Sequence, residues 1–193
     1  VVLADGTAWT IDSGSTLTIP EGLALIVEGT LTIDAGATLM IEGELSIEHA
    51  GELKIEYGAY GRGSLTIDGG SLRITQDATL ELDGTLTIDE GGTLTNEGRL
   101  RIDRGAELAI NAGGTLTNHY ELDINTGMLI INAGGTLFIQ DPHGSAIISI
   151  DGSVGGTLTC NANGTLFYEG QCLPCPHSFQ DAFPYSFLER CPS

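Results

Sequence analysis

The chain has 193 residues, with 26 acidic side chains against seven basic ones, a formal charge of −19 and 28 glycines. Such a charge leaves little to neutralise a phosphate backbone, which excludes nucleic acid as a partner and disfavours an anionic membrane surface. No apolar run reaches the roughly 20 residues of a bilayer span, and Val1 in place of a Met is the start expected of a chain freed of a signal peptide.

From the first residues onward the chain repeats a short word in which two apolar residues flank any third one, as in LTI, LMI, LSI, LKI, LRI and LEL. Alternation of this kind sends one set of side chains inward and the other outward along a short strand. Val1 and Leu3 are already in phase as inward residues of a strand before Trp9, with no polar cap ahead of them. An uncapped rung presents unpaired backbone and core, so Val1, Val2, Leu3 and Trp9 are predicted to form a docking end.

Folded by threes, the words fall into columns. One runs Trp9, Leu31, Leu53, Leu72, Leu94, Leu116, Leu137, Leu158; a second runs Leu17, Leu39, Leu80, Leu100, Leu122 and Ile148; a third runs Leu25, Leu45, Leu65, Leu86, Leu108, Leu129. The spacing predicts an all-β, three-sided parallel β-solenoid with coils of about 21–22 residues over residues 1–167. Its length at rung spacing is about 35–40 Å. In this register EYGAYGRG, Glu56 to Gly63, replaces a second-column strand, and QDPHG, Gln140 to Gly144, is a second insertion.

Asn96 and Asn118 fall where Ile11, Ile33, Ile55, Ile74 and Ile139 stand, with Cys160 last in the same column. Stacked coils let one buried amide bond to the next, so the pair is predicted to be an internal ladder. Corners after the third column carry Glu48, Asp68, Asp89, Asn111 and Asn132, mostly with a Gly close behind, as tight turns require. Calcium is conceivable at these acidic corners, although the glycine-rich calcium nonapeptide is absent. Apart from that no cofactor is expected.

Arg99, Arg101 and Arg104 lie beside Glu97 and Asp103, with Glu121 and Asp123 in the following coil. Cross-coil ion pairing accounts for them, and no nucleophile motif is present, so the expectation is a protein without catalytic activity. Rows of Thr-x-Thr run through Thr93 and Thr95, Thr115 and Thr117, Thr136 and Phe138, Thr157 and Thr159. They resemble the flat face of ice-binding β-solenoids, interrupted by Phe138 and, earlier, by Glu52, Lys54 and Arg73.

The last segment, residues 168–193, changes composition. Phe179, Phe183, Tyr185 and Phe187 lie there, and the four cysteines, Cys160, Cys172, Cys175 and Cys191, sit at or beyond the last rung. Two disulfides are expected to staple this tail as a cap, with three pairings open, and its aromatic residues are expected to form the second docking end. A metal site of Cys172, Cys175, His177 and Cys191 is the rival reading of QCLPCPH. Asn163-Gly164-Thr165 is an acceptor triplet for N-glycosylation.

Words such as LTIDAGATLMIEGELSI and GGTLTN, over about 160 residues, resemble the Gly-Thr-Leu-Thr-Ile repeat proteins of prokaryotic cell surfaces, which include adhesin stalks and fibre or sheath subunits. The resemblance implies a secreted or cell-surface structural protein. Combined with the uncapped end, it leads to the expectation of a subunit that docks head to tail on copies of itself in a filament, sheath or surface array. An ice-binding protein or an adhesin stalk is the alternative.

Overall fold

A four-residue strand has too few hydrogen bonds and too little buried surface to persist alone, so each Leu-x-Ile word must stack on an equivalent word one coil away. The computed structural model describes residues 1–140 in full. Beyond them it describes the backbone strands Ile147–Ile150, Thr157–Cys160, Thr165–Tyr168, Gln171–Leu173 and His177–Phe179. The chain winds as a parallel β-solenoid of about six turns with three sheets, here called faces 1, 2 and 3 in chain order.

Face 1 stacks Val2–Leu3, Ala24–Val27, Glu44–Ile47, Ser71–Ile74, Thr93–Asn96, Thr115–Asn118, Thr136–Ile139 and Thr165–Tyr168, and Gln171–Leu173 ends it. Face 2 stacks Ala8–Ile11, Thr30–Ile33, Glu52–Ile55, Thr79–Leu82, Arg99–Ile102, Glu121–Ile124 and Ile147–Ile150. Face 3 stacks Thr16–Ile19, Thr38–Ile41, Ser64–Ile67, Thr85–Ile88, Glu107–Ile110, Met128–Ile131 and Thr157–Cys160, and His177–Phe179 ends it. The second and fourth residues of these strands point inward, and from Leu31 to Ile139 they are almost wholly buried. The core is thus one continuous column of Leu layers alternating with Ile layers.

Corners work because Gly allows coils to close on one another. A Cβ on Gly98 would overlap the carbonyl oxygens of Thr75 and Ala78, so no larger residue fits there without moving backbone. Gly134, at φ 80°, supplies the left-handed turn that an L side chain resists.

The hairpin at Glu56 to Gly63 corrects the expected register. Tyr57–Gly58 pairs antiparallel with Gly61–Arg62, and the Gly63 amide donates to the Glu56 carbonyl at 2.7 Å, closing the base of the excursion. No strand is replaced: Ser64–Ile67 follows on face 3, between Thr38–Ile41 and Thr85–Ile88. Uninterrupted coils run 20 to 22 residues, as from Leu25 to Leu45 and Leu31 to Leu53, whereas the step from Leu39 to Leu65 is 26 and that from Leu53 to Leu80 is 27.

Each predicted column therefore changes face at the hairpin. Leu53 continues into Leu80 rather than Leu72, and Leu72 follows Leu45. A second shift falls after Gln140, where Leu158 stacks on Leu129 of face 3 instead of on Leu137. Asn96 and Asn118 accordingly share a column with Val27, Ile47, Ile74 and Ile139, not with Ile11, Ile33 and Ile55, and Cys160 is in register with Ile131 on face 3. Glu48 likewise turns the corner from face 1 to face 2, whereas Asp68, Asp89, Asn111 and Asn132 turn the corner from face 3 to face 1.

Candidate functional site

Three outward surfaces and the first rung are candidates, and the corrected register decides what each displays. On face 2 the outward residues from the third coil onward are Glu52 and Lys54, Thr79 and Glu81, Arg99 and Arg101, Glu121 and Asp123. Lys54 pairs with Glu52 at 3.1 Å, Arg99 Nε donates to Glu121 Oε2 at 2.7 Å, and Arg101 lies 3.6 Å from Asp103 and 3.9 Å from Glu81. At the adjoining corner Arg104 pairs with Asp83 at 3.1 Å.

This network splits its acids. The hydrogen bond from Arg99 holds Glu121 below the usual carboxylate range. Partial burial, reinforced by hydrogen bonding to Glu121 and by its charge, pushes Asp123 up. Burial also raises Asp83, against the opposing pull of Arg104. The hydrogen bond to Glu52 raises Lys54, and that to Glu121 raises Arg99. Arg73 is on face 1, where it holds Glu97 at 2.7 Å.

Face 3 differs. Its outward positions carry Thr16 and Thr18, Thr38 and Met40, Ser64 and Thr66, Thr85 and Thr87, all in register and without charge over four coils. Glu107 and Ala109 follow, then Met128 and Ile130. The Thr-x-Thr rows predicted for one face are divided: Thr93 and Thr95, Thr115 and Thr117, Thr136 and Phe138 lie on face 1, while Thr157 and Thr159 lie on face 3. The outward residue Ile26 is on face 1.

Within the core, Asn96 and Asn118 are completely buried. Asn96 Nδ2 donates to Asn118 Oδ1 at 2.7 Å and to the Glu121 carbonyl at 2.8 Å, and Asn118 Nδ2 donates to the Tyr120 carbonyl at 2.8 Å. Asn96 Oδ1 has no partner, because the column continues downward into Ile74, which offers no donor. Polar ladders also run outside. Asn132 donates to Asn111 and Asn111 to Asp89, both at 2.7 Å, and Asn125 donates to Asp103 at 2.8 Å. Of the acidic corners where calcium was conceivable, Asp89 is engaged by an amide and Glu48 by the Ser46 hydroxyl.

In the first rung, Val2–Leu3, Ala8–Ile11 and Thr16–Ile19 are the edge strands of their faces among the described residues. Val1 is 88% exposed, Val2 56% and Trp9 42%, while Leu3 is half-buried against the core. The Val1 ammonium donates to the Ala24 carbonyl at 2.7 Å. At the other end Gln171–Leu173 runs antiparallel to Thr165–Tyr168, and His177–Phe179 antiparallel to Thr157–Cys160. Backbone register sets Cys172 opposite Phe167 and Cys160 opposite His177. The expected cysteine bridges or metal site, the glycosylation triplet at Asn163, and the docking side chains of Phe179, Phe183, Tyr185 and Phe187 lie outside the described residues.

Two further features come from corners. Arg62 of the hairpin stacks over Tyr57 at 5.4 Å from the ring centroid and donates from Nη1 to the Gly105 carbonyl at 2.8 Å, which ties the hairpin to a later coil. At the corner between faces 1 and 2, Glu28, Glu48 and His49 bring donor atoms together. Strand columns do not reveal this set, because its residues lie at corners. Its signal was the equivalent position of Glu28 and Glu48, each following the last inward residue of a face-1 strand.

No protein-family model and no curated protein matches the chain. Among solved structures, a hyper-glycosylated fragment of TibA, modified in a TibC-catalysed reaction, is similar over 87% of this chain and 80% of that one, at 14% identity and a TM-score of 0.21.

Proposed function

We propose that the chain is the rigid rod of a secreted, cell-surface structural protein, of the adhesin-stalk type, without catalytic activity. The observation that supports this reading is the continuous buried core from Ile11 to Ile139, apolar but for the Asn96–Asn118 pair and enclosed by three parallel sheets. A stack in which every rung hydrogen-bonds both neighbours resists bending and pulling along its length, which is what a spacer needs. Glu121 on face 2 and Asp103 and Asp83 at its corner pair with Arg99, Arg101 and Arg104, an arrangement that cross-coil ion pairing accounts for. Labelling intact cells of the source with an antibody to the rod tests the location; a signal that requires permeabilised cells overturns it.

The finer reading is that a second copy docks on the first rung, at Val1, Val2, Leu3 and Trp9. Antiparallel strands cover the far ends of faces 1 and 3, and the exposed apolar side chains Val1, Val2 and Trp9 offer the surface for this contact. Sedimentation of the purified chain at rising concentration should show association that Trp9→Glu abolishes. A strict monomer removes this reading and leaves the stalk.

An ice-binding reading is favoured by one observation, the uncharged Thr and Ser array of face 3. It predicts thermal hysteresis that Thr66→Tyr destroys. No hysteresis in the unmodified protein eliminates it.

A further inference from the structure

We propose that Glu28, Glu48 and His49 form a binding site for a divalent transition ion, held by two carboxylates and one imidazole. Glu28 follows the face-1 strand Ala24–Val27, and Glu48 and His49 follow the next one, Glu44–Ile47. The pairing of Val27 with Ile47 stacks the two corners directly, so the rod itself fixes the spacing of the ligands.

His49 Nδ1 lies 3.5 Å from Glu28 Oε1, and the donor atoms of all three residues lie within 4.8 Å of one another. Ligands at about 2.0–2.2 Å from one ion are separated by roughly 3–4.4 Å, so a small closing movement, chiefly of the exposed His49 ring, completes the set. Ser46 Oγ donates to Glu48 Oε1 at 2.9 Å, orienting that carboxylate and leaving its second oxygen for the ion. Supporting hydrogen bonds of this kind hold ligands in metal sites generally.

The nitrogen donor separates this corner from the other acidic ones. Asp89 and Asp103 each accept an amide from the next coil, which occupies the carboxylate. Glu28 and Glu48 meet an imidazole instead, and a mixed nitrogen and oxygen set suits a transition ion better than calcium, which takes oxygen ligands. Glu28 also lines a cleft of about 460 Å³ together with Asp5, Thr7, Thr30, Glu52 and Thr79. Three protein ligands leave coordination positions open, and Asp5 and Glu52 beside Glu28 in this cleft add a potential that favours an approaching cation.

Mn²⁺ is the probe of choice, because it accepts carboxylate and imidazole while thiolates select softer ions, so the four cysteines compete little. The full chain, stripped with chelator, is titrated with Mn²⁺ while the histidine ring signals are followed by NMR. Paramagnetic broadening of His49 is expected at substoichiometric ion, ahead of His119, whose Nδ1 faces the Gln140 carbonyl at 3.2 Å. His49→Ala and Glu28→Gln should each weaken Mn²⁺ binding about tenfold or more, whereas His119→Ala leaves it unchanged. All three variants alter corner residues outside the core, and an unchanged far-ultraviolet spectrum verifies the fold. Equal broadening of His49 and His119, or parental affinity in both His49→Ala and Glu28→Gln, overturns the site.

Discussion

Faces 2 and 3 are built on the same core and present opposite surfaces. Inward, Leu80 and Leu82 on face 2 and Leu86 and Ile88 on face 3 are equally buried, at 0% exposure. Outward, Glu81, Arg99, Arg101, Glu121 and Asp123 occupy one face, while Ser64, Thr66, Thr85 and Thr87 occupy the other. The difference teaches that stacking dictates only every second residue. The remaining positions are free to carry ion pairs or a neutral array, and function must be sought among them.

The largest test concerns the shared half of the comparison. Leu80→Ala and Leu86→Ala should each destabilise by about 2–5 kcal/mol, with near-equal values, because each opens a cavity between two stacked Leu rungs that cannot collapse. Chemical denaturation measures both. A large inequality would show that the two faces do not contribute alike to the core.

A second test uses the orphaned Asn96 oxygen. Ile74→Asn places a donor one rung below Asn96, where Nδ2 can reach Oδ1 as Asn96 reaches Asn118. Ile67→Asn buries the same amide on face 3 between Ile41 and Ile88, without an amide neighbour. Both should destabilise, but Ile74→Asn by about 1–3 kcal/mol less. Identical losses would mean that the ladder cannot be extended downward.

The alternation of strands, their parallel stacking in threes and the phase of Asn96 and Asn118 were legible, because inward positions obey a period of two whatever face they occupy. Face assignment was not. Successive strands start six to eight residues apart, so an eight-residue corner excursion between Glu56 and Gly63 mimics a strand in one-dimensional spacing. Leu53 to Leu72 then passes for one short coil, although Leu53 stacks on Leu80. Two shifts therefore hide the outward surfaces: the hairpin splits the Thr and Ser array of face 3 between columns, and the shift after Gln140 sets Thr157 and Thr159 with Thr136 although they stack on face 3. The cation site at Glu28, Glu48 and His49 escaped because it depends on two consecutive corners rather than on any strand.

The outward half of the comparison gives smaller effects. Arg101 stands between Glu81 and Asp123 in register, so Arg101→Glu sets three acids in a row on face 2. It should destabilise by up to about 1 kcal/mol at low salt and much less at 1 M salt. Thr87→Glu on face 3, next to Thr66 and Ala109, should cost less than about 0.5 kcal/mol. Comparable losses at low salt would show that the charged face is not an electrostatic network.

The smallest effect is the most informative about sign. Asp123 is raised above its ordinary value, so the stability it contributes is present below the normal aspartate range and is lost as pH rises through the raised value. At neutral pH it is ionised against its partial burial and against Glu121. Glu121 is lowered, so its contribution is present above the normal glutamate range and is lost as pH falls through the lowered value. Asp123→Asn should therefore stabilise the rod at neutral pH, and the gain should vanish in acid. Glu121→Gln should do the opposite, leaving Arg99 without its acceptor at neutral pH and converging with the parent once the carboxyl would be protonated. Both residues are half-buried and still reached by solvent, whose screening keeps each change to about 1 kcal/mol or less. Urea midpoints from pH 3 to pH 8 resolve them, and two variants shifting neutral stability in the same direction would refute the division of roles between these neighbouring carboxylates.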